Sequence, residues 1–371
     1  MNLLSYIIWN GSPEIFSIGP VTLRWYGLLF ALGFLLSQQI LYYIYKKEGK
    51  PEKDVDTLTI YMVIATIIGA RLGHVLFYEP ERYFANPIDI LKIWEGGLAS
   101  HGAAVGILFA LWLYARKKKP GQSYLQVLDR IVILVALTGA LIRLGNFFNS
   151  EIIGKQTHTN YGVVFTRSIT ENLQREPEIE KVSYVNVHAK DYKYIYKPMK
   201  ILVEFKKSFQ DEEQLHRYIN GRLQNRLLYT SSIREHLSID EYPDYGLAKL
   251  DDGRYAAVIR VHAVPRHPAQ LYEAISCLLL FAFLFWVWYR KKEKLRPGLI
   301  FGLFMIILWS LRFVYEYLKE VQVDSEIDLI NSYGINYGQL YSIPLVIVGI
   351  IVLVFSFKQS SKDTAINEKN S

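Results

Sequence analysis

The sequence holds one cysteine in 371 residues, Cys277. No intramolecular disulfide can form, and a lone thiol inside an apolar run reads as a small buried hydrophobe. A basic N-terminal region is missing too. The apolar run 3–9 is too short for a signal peptide or a span, which leaves an interfacial segment as the expectation. No metal-ligand spacing, Gly-rich phosphate loop or internal nucleophile occurs, so no metal and no cofactor are expected. Nor is there an internal repeat, a signature common among secondary transporters. The most informative absence is local: Asp, Glu, Lys and Arg are missing from 25–45, 58–70, 96–115, 131–142, 274–289, 298–311 and 338–357.

What fills those stretches is apolar. The chain is 51% hydrophobic and 14% aromatic, too apolar for a soluble domain once its polar middle third is set aside. A helix crossing the hydrocarbon core needs ~20 apolar residues. Three blocks reach that length directly, and the others are cut short by a single charged residue beyond which the apolar pattern resumes, as in 72–78 after Arg71. The fold class expected is mainly α: a polytopic membrane protein with about seven transmembrane helices plus an external α+β head domain.

The net charge of +7 does not point to nucleic acid, because the cations cap the apolar blocks. Lys46, Lys47, Lys50 and Lys53 follow the first, Arg116, Lys117, Lys118 and Lys119 the third, and Arg290, Lys291, Lys292, Lys294 and Arg296 the fifth. The alternate loops are acid-rich, with Glu79, Glu81, Asp89 and Glu95 in one and Glu320, Asp324, Glu326 and Asp328 in the other. Short cytoplasmic loops are enriched in Lys and Arg. That rule places the N-terminus outside, the C-terminal tail inside and the long segment 155–265 outside.

The expected organisation is therefore spans one to four in 1–154, a head domain in 155–265, spans five to seven in 266–358 and a polar, unstructured tail in 359–371. In the head, 181–189, 201–205 and 255–263 carry the β-branched and aromatic residues of strands, and 211–228 has helical spacing at Leu215, Tyr218, Ile219 and Leu223.

Three arginines interrupt the apolar blocks: Arg71, Arg143 and Arg312. Each follows 12 to 14 uncharged residues of a span running outward, which places it roughly 20 Å from the inner boundary of a core ~30 Å thick. The inward-running spans begin with Arg24 and Tyr26, with His101, and with Gln270, Tyr272 and Glu273 at the matching level. A charge at that depth costs at least ~2.5 kcal/mol and ordinarily faces a partner or ligand. Each arginine alone is equally compatible with snorkelling, or with a carboxylate partner such as Glu316 beside Arg312. Three at one depth favour a shared cavity for an anion, and guanidinium forks suit phosphate. An anionic lipid headgroup from the outer leaflet is the expected ligand.

The densest polar cluster is Arg143-Leu144-Gly145-Asn146-Phe147-Phe148-Asn149-Ser150-Glu151-Ile152-Ile153-Gly154. If it is helical through Glu151, Arg143 and Asn146 lie side by side, and Gly154 lets the chain turn out into the head. This run resembles the signature of the prolipoprotein diacylglyceryl transferase family. In the same order the chain carries Arg24-Trp25-Tyr26-Gly27, Gly69-Ala70-Arg71-Leu72-Gly73, Gly96-Gly97-Leu98-Ala99-Ser100-His101-Gly102, Arg266-His267-Pro268-Ala269-Gln270-Leu271-Tyr272-Glu273 and Arg312-Phe313-Val314-Tyr315-Glu316. Two departures stand out. Roughly 90 extra residues at about 167–259 separate Phe165 from the Arg-His-Pro segment, and Ile142 stands where the family usually has glycine.

The resemblance implies an enzyme of the bacterial inner membrane that moves the diacylglyceryl group of phosphatidylglycerol to the lipobox cysteine of a prolipoprotein signal peptide, releasing glycerol phosphate. In that chemistry Arg143 and Arg312 stabilise the departing phosphate. His101 takes the thiol proton, imidazole being a workable base near neutral pH. Tyr26, Asn146, Glu151 and Gly154 position the headgroup, Glu273 and Glu316 orient arginines, and Arg71 holds the second lipid or the signal peptide. A packed, structural His101 remains the competing reading for that residue. An anion carrier or flippase, and a scaffold presenting the head, remain the competing readings for the whole chain.

Overall fold

The computed structural model describes residues 6–19, 21–93, 96–157, 159, 161–187, 196–207, 209, 211–321 and 324–369. By Cα packing the chain divides into two compact units: 1–28, 143–272 and 317–327 form one, and 29–142, 273–316 and 328–371 the other.

The first unit is built on strands. Strand β1 (Ile7–Trp9) pairs in parallel with β4 (Val163–Phe165), and β2 (Glu14–Ile18) forms an antiparallel hairpin with β3 (Val21–Arg24). Of the N-terminal apolar run, Ile7–Trp9 form this strand and Tyr6 is buried, while 3–5 lie outside the described residues. Arg24 ends β3, exposed within its unit and 3.5 Å from Glu14. The head sheet runs β5 (Ile179–Asn186), β6 (Lys197–Phe205), β9 (Tyr255–Ala263), with β7 (Leu237–Ser238) and β8 (Tyr245–Lys249) both paired to β9. Its pairings are antiparallel.

Alternation sets the faces. Met199, Ile201, Val203 and Phe205 of β6 join Ile259 and Val261 of β9 in a core closed by Ile169 and Leu173 of the helix Arg167–Gln174 and by Leu215, Ile219, Leu223, Leu227 and Ile233. The helical spacing read over 211–228 holds from Glu212 to Tyr229, with one widened turn at Ile219–Leu223. The first expected strand covers Ile179–Asn186, and its last expected residues, 188–189, lie outside the described residues.

The second unit is helical. Across the described chain six helices are long and apolar enough to cross a membrane: Trp25–Lys47, Lys53–Phe77, Tyr124–Phe148, Ala269–Lys294, Leu299–Leu318 and Tyr337–Lys358. The third charge-free block departs from expectation. Gly96 and Gly97 have φ of +91° and +72°, conformations a helix cannot contain. Only Ser100–Ala115 is helical, 16 residues, or about 24 Å at 1.5 Å per residue. The last helix continues to Lys369 where an unstructured tail was expected; once nucleated by an apolar segment, each added residue brings one backbone bond.

Two features hold this unit. Gly69 and Gly73 face Gly102 and Gly106, and a Cβ on Gly102 would lie 2.2 Å from the Gly69 carbonyl oxygen. Small residues at four-residue spacing allow helix backbones to touch, the geometry favoured between helices where no hydrophobic effect drives them together. Near the other ends of the helices, buried charges are paired. Arg130 donates to Glu48 at 2.8 Å, and the Trp288 indole donates to the same carboxylate at 2.7 Å. The Asp129 carboxylate accepts the Gly298 and Phe301 amides at 2.7 and 2.8 Å, capping the helix Leu299–Tyr315.

Candidate active site

The first unit brings together Tyr26, Arg143, Asn146, Glu151 and Gly154. The helix Tyr124–Phe148 stops short of Glu151, because Ser150 adopts φ +52°. The Ser150 amide donates to the Phe147 carbonyl and the Glu151 amide to the Asn146 carbonyl, both at 3.0 Å. These are the paired bonds of a Schellman closure, which satisfies carbonyls left open at a helix end.

The reversal folds Glu151 back along the last helical turn. Arg143 Nη1 donates to Asn146 Oδ1 at 3.4 Å, Asn146 Nδ2 donates to Glu151 Oε2 at 3.3 Å, and Asn149 Nδ2 donates to Glu151 Oε1 at 2.9 Å. Arg143 and Asn146 thus lie side by side, as their i, i+3 spacing implies. Asn146 is buried, Arg143 half-buried and Glu151 exposed within its unit. Bonds of 3.3–3.4 Å lie at the weak end for N–H···O, and a charged phosphate oxygen makes a shorter, stronger partner for guanidinium. The turn can thus exchange an internal contact for an anion.

Tyr26 lies on bare backbone: a Cβ on Gly145 would sit 2.9 Å from its Cδ2. Trp25 stacks on Phe148 with centroids 4.8 Å apart. Gly154 is required by close approach, since a Cβ there would be 2.5 Å from the His267 carbonyl oxygen and 2.8 Å from that of Leu318. Gln270, placed by sequence at the level of the site, donates to the Glu151 carbonyl.

In the second unit Arg312 and Glu316 share the end of one helix, Nε 3.6 Å from Oε1, and the guanidinium lies 5.4 Å from the Trp309 ring. Glu316 is buried, with the Asn336 amide donating to its Oε2 at 3.4 Å and to its carbonyl at 3.3 Å. Gly338 is pressed against the carboxylate; a Cβ there would be 2.4 Å from Glu316 Cδ. Neither Asn336 nor Gly338 was found from sequence, although an Asn-Tyr-Gly run opening an apolar helix is a visible signal. Glu273, one turn into Ala269–Lys291, is buried, and its carbonyl accepts the Ser276 hydroxyl at 3.1 Å. His101, in the first turn of Ser100–Ala115, is exposed within its unit, its ring 5.2 Å from that of Phe77 and 5.9 Å from that of Tyr78.

Arg71 differs from the other two arginines. Its side chain is 3% exposed and donates to the carbonyls of Ile90 (2.8 Å), Gly96 (2.6 Å), Gly97 (3.2 Å), Asp89 (2.5 Å) and Lys92 (3.2 Å). The Tyr83 ring covers it at 4.8 Å. The guanidinium is committed to the loop that leads into His101. Among the described residues, no group of three or more His, Cys, Asp or Glu has the arrangement to hold a metal ion.

A family model described as prolipoprotein diacylglyceryl transferase matches residues 13–355. The chain is 35% identical to a phosphatidylglycerol–prolipoprotein diacylglyceryl transferase of Tolumonas auensis, over 96% of this chain and 100% of that protein. Proteins of the same name from Chloroherpeton thalassium and Porphyromonas gingivalis are 34% and 33% identical, over 97% and 96% of this chain and 98% and 97% of theirs. With its match across nearly the full length and its set of apolar helices, the chain belongs to the prolipoprotein diacylglyceryl transferase family of multi-pass membrane transferases.

Proposed function

We propose that this protein transfers the diacylglyceryl group of phosphatidylglycerol to the lipobox cysteine thiol of prolipoproteins. The cysteine sulfur forms a bond to the terminal glyceryl carbon of the diacylglyceryl group, the bond from that carbon to the phosphate ester oxygen breaks, and glycerol phosphate departs with the electron pair. The thiol proton passes to a base, because the thiolate is the nucleophile.

The observation that carries this reading is the turn after Arg143, in which a half-buried guanidinium is bonded weakly to an amide that is itself held by Glu151. Arg143 and Arg312 are assigned to the phosphate, where negative charge grows as the bond breaks. Tyr26, Asn146, Glu151 and Gly154 are assigned to positioning the headgroup, and Glu316 and Glu273 to orienting arginines. His101 is assigned as proton acceptor. Arg71 acts through its loop, ordering the backbone that leads to His101, and so contributes to lipid or signal-peptide binding indirectly. The names of the relatives support the two substrates.

The same reading makes Ser100–Ala115 a seventh crossing and puts the chain in the bacterial inner membrane. The N-terminus and the head (155–265) then face the periplasm, 1–154 and 266–358 hold the spans, and the tail from 359 is cytoplasmic.

The test is direct. Purified protein in detergent, given phosphatidylglycerol and a lipobox peptide, forms the thioether-linked product, and the cysteine-to-serine peptide forms none. No product from the intact peptide at any lipid concentration removes the reading.

A further inference from the structure

The roughly 90-residue insertion has no part in the reaction just described, yet one buried side chain joins it to the signature turn. We propose that Arg266 is a positioning residue through which the insertion sets the backbone at Gly154. The proposal rests on reading that turn as part of the donor site.

Arg266 leaves β9 within three residues and is buried. Its Nη2 and Nε donate to the Glu235 carbonyl at 2.7 and 3.3 Å, and its Nη1 donates to the Gly154 carbonyl at 3.3 Å and to the Glu320 carboxylate. One planar group thus meets three chain segments: the insertion at Glu235, the signature at Gly154 and the segment containing Glu320. Only a guanidinium offers donors spread far enough to do this; an ammonium presents its donors from a single point.

The two ends of this connection are stiff for independent reasons. At the insertion end, Glu235 follows the helical turn Ser231–Arg234, whose Ile233 is fully buried in the head core, and the Val264 amide donates to the His236 carbonyl at 2.9 Å. At the signature end, the Gly154 amide donates to the His267 carbonyl at 2.9 Å, the His267 amide to the Lys155 carbonyl at 3.0 Å and the Lys155 amide to the Leu318 carbonyl at 2.7 Å. The backbone at Gly154 already lacks room for a methyl group. A shift of the Glu235 carbonyl therefore leaves Arg266 either to move with it or to lose a buried bond, and a moving Arg266 carries the Gly154 carbonyl along.

The test is a double-mutant cycle on the full-length protein in detergent, read by amide hydrogen exchange and by kinetics. Ile233→Ala loosens the insertion core away from the turn. It is expected to raise exchange at 231–237 and also at 151–157, the latter about tenfold, and to raise the apparent KM for phosphatidylglycerol several-fold with kcat changed by no more than about twofold. In an Arg266→Gln background, Ile233→Ala still loosens 231–237 but adds nothing at 151–157. If Arg266→Gln does not fold, Arg266→Lys serves as the background with the same expectation. Exchange at 151–157 unmoved by Ile233→Ala while Arg266 is intact overturns the proposal, and so does an effect of equal size in both backgrounds. A protein without transferase activity would end the functional reading, whereas the exchange cycle would still decide the coupling.

Discussion

The loop around Arg71 and the turn after Arg143 place the same side chain to opposite ends. Arg71 is enclosed, its donors directed at backbone carbonyls of residues 89–97. Arg143 is half-buried and meets a side-chain amide across a long bond. Arg266 resembles Arg71, and Arg312 resembles Arg143. Backbone carbonyls cannot leave, so a guanidinium bound to them organises structure; a side-chain amide or carboxylate can be exchanged for a ligand. Which partners an arginine has, rather than how deep it sits, separates scaffold from site.

The contrast is broken most directly at Arg143. Arg143→Ala is expected to lower kcat by about 10³-fold, or about 4 kcal/mol, while the thermal midpoint of the detergent-solubilised protein stays near wild type. Near-normal turnover would place Arg143 with the structural class. Arg71→Ala should show the reverse ranking, losing on the order of 3 kcal/mol of stability because several buried carbonyls lose their donor. Arg71→Lys should recover only part of it, and a thermal scan with exchange over residues 87–97 would register both.

The third test concerns the ground beside Arg266. Burial, and secondarily the Arg266 charge, push the His236 imidazole down to about 4 from 6.5. The unfolded chain therefore takes up a proton below pH 6.5 that the folded head refuses until about pH 4. Stability from this group is complete above the unfolded value and falls as pH drops through that window, by up to about 3 kcal/mol. His236→Gln should flatten the dependence, as followed by chemical denaturation at pH 7 and pH 5. The smallest effect is assigned to Glu316→Gln, about a tenfold loss of kcat/KM, since the amide still supports the neighbouring guanidinium but loses its charge. An unchanged value would remove Glu316 as an orienting group.

Much of this was legible in the residues. The charge-free blocks marked the apolar helices, and 201–205 and 255–263 fall inside β6 and β9. The i, i+3 relation put Arg143 beside Asn146. What escaped has a common cause. The end of Tyr124–Phe148 depends on Ser150 taking a left-handed backbone, which serine rarely signals. Arg71 is held by carbonyls, which every residue possesses, and Arg266 finds Glu320 across 54 positions. Apolarity marked 96–115 as one span, but the paired glycines at its start shortened the helix to Ser100–Ala115.

That short helix gives the glycine contact a further meaning. With Gly69, Gly73, Gly102 and Gly106 meeting backbone to backbone, a segment too brief to match a bilayer on its own is riveted to a longer neighbour that can. The four positions then behave as a single heritable unit: enlarging any one of them forces both helices apart, and no compensating change at the other three can make the room.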